Sequence, residues 1–306
     1  MNNPRARRNL RAPDTARRLR DLLDGEGEVL DASTRDELAR AVEAFKARSV
    51  DVLGVNGGDG TGHVVLTAVA EAYRGSTMPA IALLRGGAMN TVAHAHGLRG
   101  TPESMVRSML QQRRARLPLR TVERDLLAIE VDDGPARCGF RFGTGAVVAF
   151  LDAYYRSADP GPATAAALLV RAVGSALVGG PLAAGLTSRE WIRVVADGEE
   201  WPDEPLLAVL AGTVPEIGFG FAPLSRCDEQ PGFFHAVGVT GSTLQLALHL
   251  PRIWLGHPWK RTLAVDAVAR DLVLDGPFRL TIDGDLYEAS RRVRLRTGPP
   301  VRLVLP

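Results

Sequence analysis

The chain has 306 residues, enough for one large or two medium domains with an ample core. At 45% hydrophobic and 24% charged, its composition is that of an ordinary globular protein. A net charge of +2, with no lysine-arginine blocks interleaved with aromatics, argues against nucleic acid as a partner.

Two cysteines, Cys138 and Cys227, show neither metal spacing nor a disulfide framework, which fits a reducing cytoplasm. The charged N-terminus lacks an apolar core segment, so no signal peptide is expected. The most apolar stretch, 163–186, is interrupted by Arg171, Pro181 and four glycines. It reads as a buried or membrane-facing helix and a turn, not as a transmembrane span. Arg5, Arg7, Arg8 and Arg11, and later Arg113, Arg114 and Arg116, form local basic runs. Such runs read as solvated faces, or as contacts to phosphate or an anionic membrane.

In chain order, Asn3-Pro4-Arg5 reads as the end of a strand entering a loop. Almost nothing precedes it, so a truncated or misassigned start is expected. Residues 14–24 read as a helix with Ala16, Leu19, Leu22 and Leu23 inward, and Val29-Leu30 as a short strand. Ser33 or Thr34 is placed to cap a helix whose apolar face is Leu38, Ala41, Val42 and Phe45. A buried strand over 52–55 then stops at Asn56 and runs into Gly57-Gly58-Asp59-Gly60-Thr61. From Val64 the pattern turns helical, with Val64, Val65, Ala68, Val69 and Ala72 on one face and Thr61 as the expected N-cap. A strand, a glycine turn and a helix N-terminus make a phosphate site, because glycine lets the backbone approach and the helix end supplies N–H donors. Asp59 beside a phosphate is repulsive unless a cation lies between them, which points to a metal-bound nucleotide.

A second buried strand, 79–84, ends in Arg85-Gly86-Gly87-Ala88-Met89-Asn90 and a helix over 91–96. Another helix spans 102–113. Alternating strands and helices imply a parallel, three-layer α/β domain over 1–116, with both glycine turns at carboxyl ends of strands. From 117 to the end a β-rich, sandwich-like domain is expected, its last segment returning to the first domain. Its strands are read at 122–131, 137–142, 190–196, 206–211, 233–239, 265–274, 278–282 and 292–295. Asp133-Gly134 signals a hairpin, and helices are read at 147–157, 164–177 and 242–255. The six histidines form no ligand spacing.

Asn56-Gly57-Gly58-Asp59-Gly60-Thr61, followed about thirty residues later by Gly86-Gly87-Ala88-Met89-Asn90, resembles the diacylglycerol kinase catalytic domain family. That family includes bacterial lipid kinases and sphingosine kinases and is more distantly related to NAD kinases. Asn3-Pro4, 142–145, the glycine-rich 218–223 and Ile282-Asp283-Gly284-Asp285 resemble further family segments in the same order. The resemblance implies ATP- and Mg²⁺-dependent phosphorylation of a lipid hydroxyl, that of diacylglycerol or a related lipid. It places ATP between an α/β nucleotide domain and a β-rich lipid-binding domain.

On that resemblance Gly57, Gly58, Gly60 and Gly87 meet phosphates, with Asn56, Thr61 and Asn3 beside them. Asp59 engages the Mg²⁺-nucleotide and serves catalysis. Asn90 bonds the nucleotide or orders Asp59, Thr34 is a further nucleotide candidate, and Arg5 helps close the site. Asp285 matches the catalytic base, which is usually Glu; Asp283-Gly284 is also a good hairpin turn by itself.

Three departures are visible. Ala88 stands where Thr is common, and Arg85 near where Pro is common. The stretch 227–235 has Pro231 before Gly232, and His235 where an acid would complete a structural Mg²⁺ site, so no structural metal is expected there. Lipid at a membrane surface is the expected partner, with 163–186 and 250–259, together with Trp254, Trp259 and Lys260, as candidate contacts, although ordinary core helices explain both stretches better than membrane contact does. A cytoplasmic, peripheral-membrane location follows, and a homodimer is left open. Two alternatives stand: a kinase for NAD or a sphingoid base, or a nucleotide- or lipid-binding protein without turnover. NAD is disfavoured by the lack of an Asn-Glu motif after Asn90.

Overall fold

The computed structural model describes residues 1–218 and 220–305; Phe219, within the glycine-rich 218–223, and Pro306 lie outside the described residues. The chain forms two compact units, Met1–Arg124 with Pro299–Pro306, and Asp125–Gly298. It passes between them twice, within β3 (Arg120–Val131) and within β14 (Arg292–Leu305).

The first unit holds α1 (Arg7–Arg11), α2 (Thr15–Leu23), α3 (Arg35–Ala47), β1 (Val52–Val55), α4 (Asp59–Ala72), β2 (Ala80–Leu83), α5 (Thr91–Ala95) and α6 (Pro102–Arg114). β1 and β2 pair in parallel, and the end of β14 joins β2 in parallel at Leu303–Ile81. The four residues of β2 are all buried, which is why its sequence is a continuous apolar run and not an alternation. α3 buries Leu38, Ala41, Val42 and Phe45, the face its periodicity marks. Thr34 caps it in a reciprocal box with Glu37. α6 starts on a similar box, Thr101 with Ser104, and has proline in its first turn. α3 packs on α4, and α2 on α6.

Two details differ from expectation here. Val29-Leu30 is not a strand; Leu30 O only accepts from Asn2 N, and Asn2 makes single parallel bridges to Asp31 and Asn56. α4 begins at Asp59 with Gly58 as N-cap, so Thr61 lies inside the first turn and does not cap it.

The second unit is β-rich. One sheet contains the hairpin of β3 with β4 (Arg137–Gly139), together with β14, β11 (Asp271–Asp275), β6 (Arg193–Ala196) and β7 (Glu199–Glu200). The other runs β10 (Ala264–Ala269), β9 (Phe234–Val239), β8 (Ala208–Gly212), β5 (Arg141–Thr144), β12 (Phe278–Ile282), β13 (Asp285–Ala289), all antiparallel. Inner faces of both sheets share one core, including Leu127, Phe142, Phe234, Leu272, Leu280 and Val293. Helices α7 (Ala146–Tyr155), α8 (Pro162–Leu177), α9 (Pro181–Leu186) and α10 (Thr243–Trp254) pack on one another, α8 touching the other three. No helix of the described residues is long and apolar enough to cross a membrane.

Two expected strands prove to be two strands each. The run 265–274 breaks at Arg270, whose N–H, with that of Asp271, donates to the Asp197 carboxylate. The run 137–142 breaks at Phe140, whose N–H donates to Asp283 Oδ2 at 2.9 Å. In both cases a remote carboxylate takes an N–H that a continuous ladder would have used.

Candidate functional site

The two glycine turns of the first unit lie against each other. A Cβ on Gly87 would stand 2.2 Å from Gly58 Cα, and one on Gly86 would stand 2.5 Å from Asn56 Oδ1. A Cβ on Gly57 would run into the Thr61 side chain at 2.4 Å. Gly58, Gly86 and Gly87 are therefore glycine because two backbones meet there, and Gly57 because the Thr61 side chain fills its space, before any ligand is considered.

The turns are fixed by their own polar groups. Asn90, at φ 49° in the left-handed region, closes its loop: Gly87 N donates to Oδ1, and Nδ2 donates to Gly87 O, both at 2.9 Å. Asp59 reaches across to the start of α5. Its Oδ2 accepts from Thr91 N at 2.8 Å and Thr91 Oγ1 at 3.0 Å, and its Oδ1 accepts from Val92 N at 3.1 Å. Asp59 thus joins the two turns, a role of capping type that its neighbours in sequence do not announce. Asn3 Nδ2 donates to Thr61 Oγ1 at 2.8 Å, and Asn56 Nδ2 donates to Asn2 Oδ1 at 2.7 Å. Thr34 stands at the start of α3, where its hydroxyl accepts from Glu37 N.

What this leaves for a ligand is specific. Gly58 caps α4 without a side chain, and the first backbone bond of the helix is Gly62 N to Gly58 O. The amides of Asp59, Gly60 and Thr61 precede it, at the positive end of the helix dipole. Asn56 Oδ1 is buried with no partner, an acceptor set between the two turns. Arg8 and Arg85 add positive charge. Arg8 N donates to Gly86 O at 3.1 Å. The Arg85 guanidinium is held below its ordinary range by burial and then by the nearby charge of Arg8. Arg85 Nη1 donates to Gly100 O at 3.2 Å and its Nη2 lies 2.9 Å from His94 Nε2, so this cation is held beside the second turn. A helix N-terminus next to glycine turns suits an anion. Neither arginine was assigned to the site from the sequence. Arg8 was one of a basic run, and only α1 brings it to Gly86. Arg85 has φ 57°, a conformation closed to proline. A cavity of 370 Å³ in this unit, lined by Leu19, Phe45, Gly54 and Leu110 among others, reaches Asn56 and Leu84 but none of the glycines of either turn.

In the second unit Asp285 opens β13 immediately after a two-residue turn. Asp283 and Gly284 have φ 47° and 98°, the paired positive values that match strand twist in a tight hairpin. The turn is held from several sides. Asp283 is buried and accepts from Phe140 N at 2.9 Å and from Arg141 Nε at 3.1 Å. Its own N–H donates to Arg141 O at 3.1 Å, and Tyr155 Oη donates to Gly284 O at 2.9 Å. Asp285 is half-buried on this fixed turn.

The stretch 227–235 also finds its partners in the second unit. His235 is buried; Arg226 N donates to its Nδ1 at 3.3 Å, and its Nε2 lies 3.0 Å from Asp266 Oδ1. The Arg226 guanidinium bonds both Asp266 and Glu229. Burial pushes the Asp266 carboxyl up, but the bonds and charges of His235 and Arg226 outweigh it and hold it below the usual range. No group of three or more His, Cys, Asp and Glu placed to hold a metal occurs among the described residues.

Residues 1–122 match the family model of the diacylglycerol kinase catalytic domain. No curated protein matches the chain. Among solved structures, a diacylglycerol kinase from Bacillus anthracis str. Sterne is similar at 13% identity and a TM-score of 0.64, over 99% of this chain and 94% of that one. A candidate diacylglycerol kinase from the same organism is similar at 15% identity and a TM-score of 0.70, over 99% and 95%. At such identities the likeness shows the fold, an α/β domain with a second, β-rich one. The resemblance carried by the two glycine turns is matched over the first 122 residues.

Proposed function

We propose, from the match of residues 1–122 to the diacylglycerol kinase catalytic domain, that this chain transfers the γ-phosphate of ATP to a hydroxyl of diacylglycerol or a related lipid. The observation that carries the reading is the apposition of the Gly57–Gly60 and Gly86–Gly87 turns at the uncapped start of α4. Phosphoryl transfer asks a protein mainly for positioning and charge neutralisation. The amides of Asp59, Gly60 and Thr61 take phosphate oxygens, and Arg8 and Arg85 offset their charge. Asn56 Oδ1 accepts a bond from the nucleotide or its water. We assign engagement of the Mg²⁺-nucleotide to Asp59, whose bonds to Thr91 and Val92 also keep the second turn in position; Mg²⁺, when bound, would neutralise charge on the nucleotide's phosphates. Asp285 accepts the proton of the acceptor hydroxyl, a step worth about 10²- to 10⁴-fold in rate.

The test is incubation of purified protein with labelled ATP, Mg²⁺ and a mixed lipid extract, followed by mass spectrometry of the lipid products. A phosphorylated lipid from wild type, absent with Asp285→Ala, supports the proposal. Nucleotide binding with no product would favour a binding protein without turnover, and product from NAD alone would replace the lipid acceptor.

A further inference from the structure

The helical layer of the second unit leaves much of its apolar surface exposed. α8 has 16 residues, of which only Ala165 is buried. Ala163, Ala167, Val170, Gly174, Leu177 and Val178 are exposed and recur at helical spacing, so they share one face. Val170 is 70% exposed and Val178 81%. α10, which packs on α8, repeats the pattern. Its Leu244, Leu248 and Pro251, with Leu255 just beyond its end, are exposed on one side, Leu248 at 62% and Leu255 at 64%. Trp254 stands next to them at 52%. Single exposed apolar residues are ordinary, but two packed helices both presenting apolar faces to solvent are not.

Charge indicates what covers them. Between Pro160 and Ser188 there is no acidic residue, and the one ionisable side chain that carries charge at neutral pH is Arg171. Between Thr240 and Arg261 there is again no acid, and Arg252, Lys260 and Arg261 are exposed. An apolar face carrying only cations complements an anionic lipid surface, which takes apolar side chains into its acyl boundary and attracts lysine and arginine at the headgroups. A water-exposed protein partner would impose no such exclusion of acids. Neither helix is long and apolar enough to span, so the mode is adsorption.

We propose that the exposed faces of α8 and α10 form a docking surface for an anionic bilayer. The inference rests on the lipid kinase reading for its purpose, since a membrane-borne acceptor must be met at the membrane. Its test needs no ATP, so the two readings fail separately. The full chain is sedimented with vesicles of phosphatidylcholine alone and with vesicles enriched in phosphatidylglycerol. Binding is expected to the anionic vesicles, weakened by salt. Lys260→Gln and Arg252→Gln should each lower partitioning about fivefold, one cation's share at a charged membrane. Val170→Glu with Leu248→Glu should abolish binding without lowering the Tm, because both side chains are exposed. Absence of wild-type binding to anionic vesicles overturns the proposal, as does equal binding by the double variant. Concentration-dependent self-association lost in the double variant, with no vesicle binding, would assign the face to a second copy and likewise overturn it.

Discussion

Gly87 carries the tightest constraint in the first unit, since its missing Cβ would fall 2.2 Å from the Gly58 backbone. Gly87→Ala must force the turns apart and should abolish nucleotide binding by titration calorimetry. Gly62→Ala, whose Cβ would meet only Leu83 at 4.0 Å, should leave binding within twofold and serves as the control. Asp283 carries the matching constraint in the second unit. Asp283→Ala removes the carboxylate to which Arg141 Nε and the Phe140 N–H both donate, so chemical denaturation should show a loss of about 1–3 kcal/mol for the buried Phe140 N–H alone. The glycines were legible because a strand, a glycine cluster and a helix are local patterns. Asp283 was legible only as a turn residue, because its partners lie 142 and 143 positions away.

At the level of elements, α5 depends on Asp59. Its five residues are too few to hold a helix alone, and its first amides donate to that carboxylate. Asp59→Ala should therefore raise amide exchange across Thr91–Ala95, with a loss of about 0.5–2 kcal/mol typical of a helix cap. Asp285→Ala should stop turnover and leave that exchange unchanged. The contrast separates positioning from proton acceptance in one pair of variants. The same mechanism explains the strands that the periodicity ran together. Alternation continues through Arg270 and Phe140, and nothing in a window of ten residues says that Asp197 or Asp283 will take their N–H groups. α3 came out as read because its cap, its apolar face and its partner helix all follow from one amphipathic stretch.

For the molecule as a whole, acid should be destabilising through Asp266. Its carboxyl lies below the ordinary range in the folded state, so the bonds from His235 and Arg226 stabilise the fold fully above about pH 4 and are lost as pH falls through the lower folded value. Asp266→Asn should be less stable than wild type at pH 7, and the gap should narrow at pH 3, measured by urea midpoints. The first unit also relies on the chain's last strand. Val301, Leu303 and Val304 are fully or almost fully buried, and Leu303 pairs with Ile81 of β2. Ending the chain at Gly298 removes three core side chains worth about 1.5–3 kcal/mol each. That approaches a domain's whole margin of stability, so the truncated chain should lose its cooperative unfolding transition.

Sequence alone determined the α/β class with a β-rich second domain, both glycine turns, and the resemblance to diacylglycerol kinases, because these reside in short periodic or contiguous patterns. Tertiary structure decided where Asp59 donors come from, which arginines flank the turns, how the 283–284 turn is held, and which faces of α8 and α10 stay exposed. Each of these depends on hydrogen bonds, charges or packing between residues far apart in the chain. Local spacing carries no record of which distant carboxylate, cation or helix will arrive beside it.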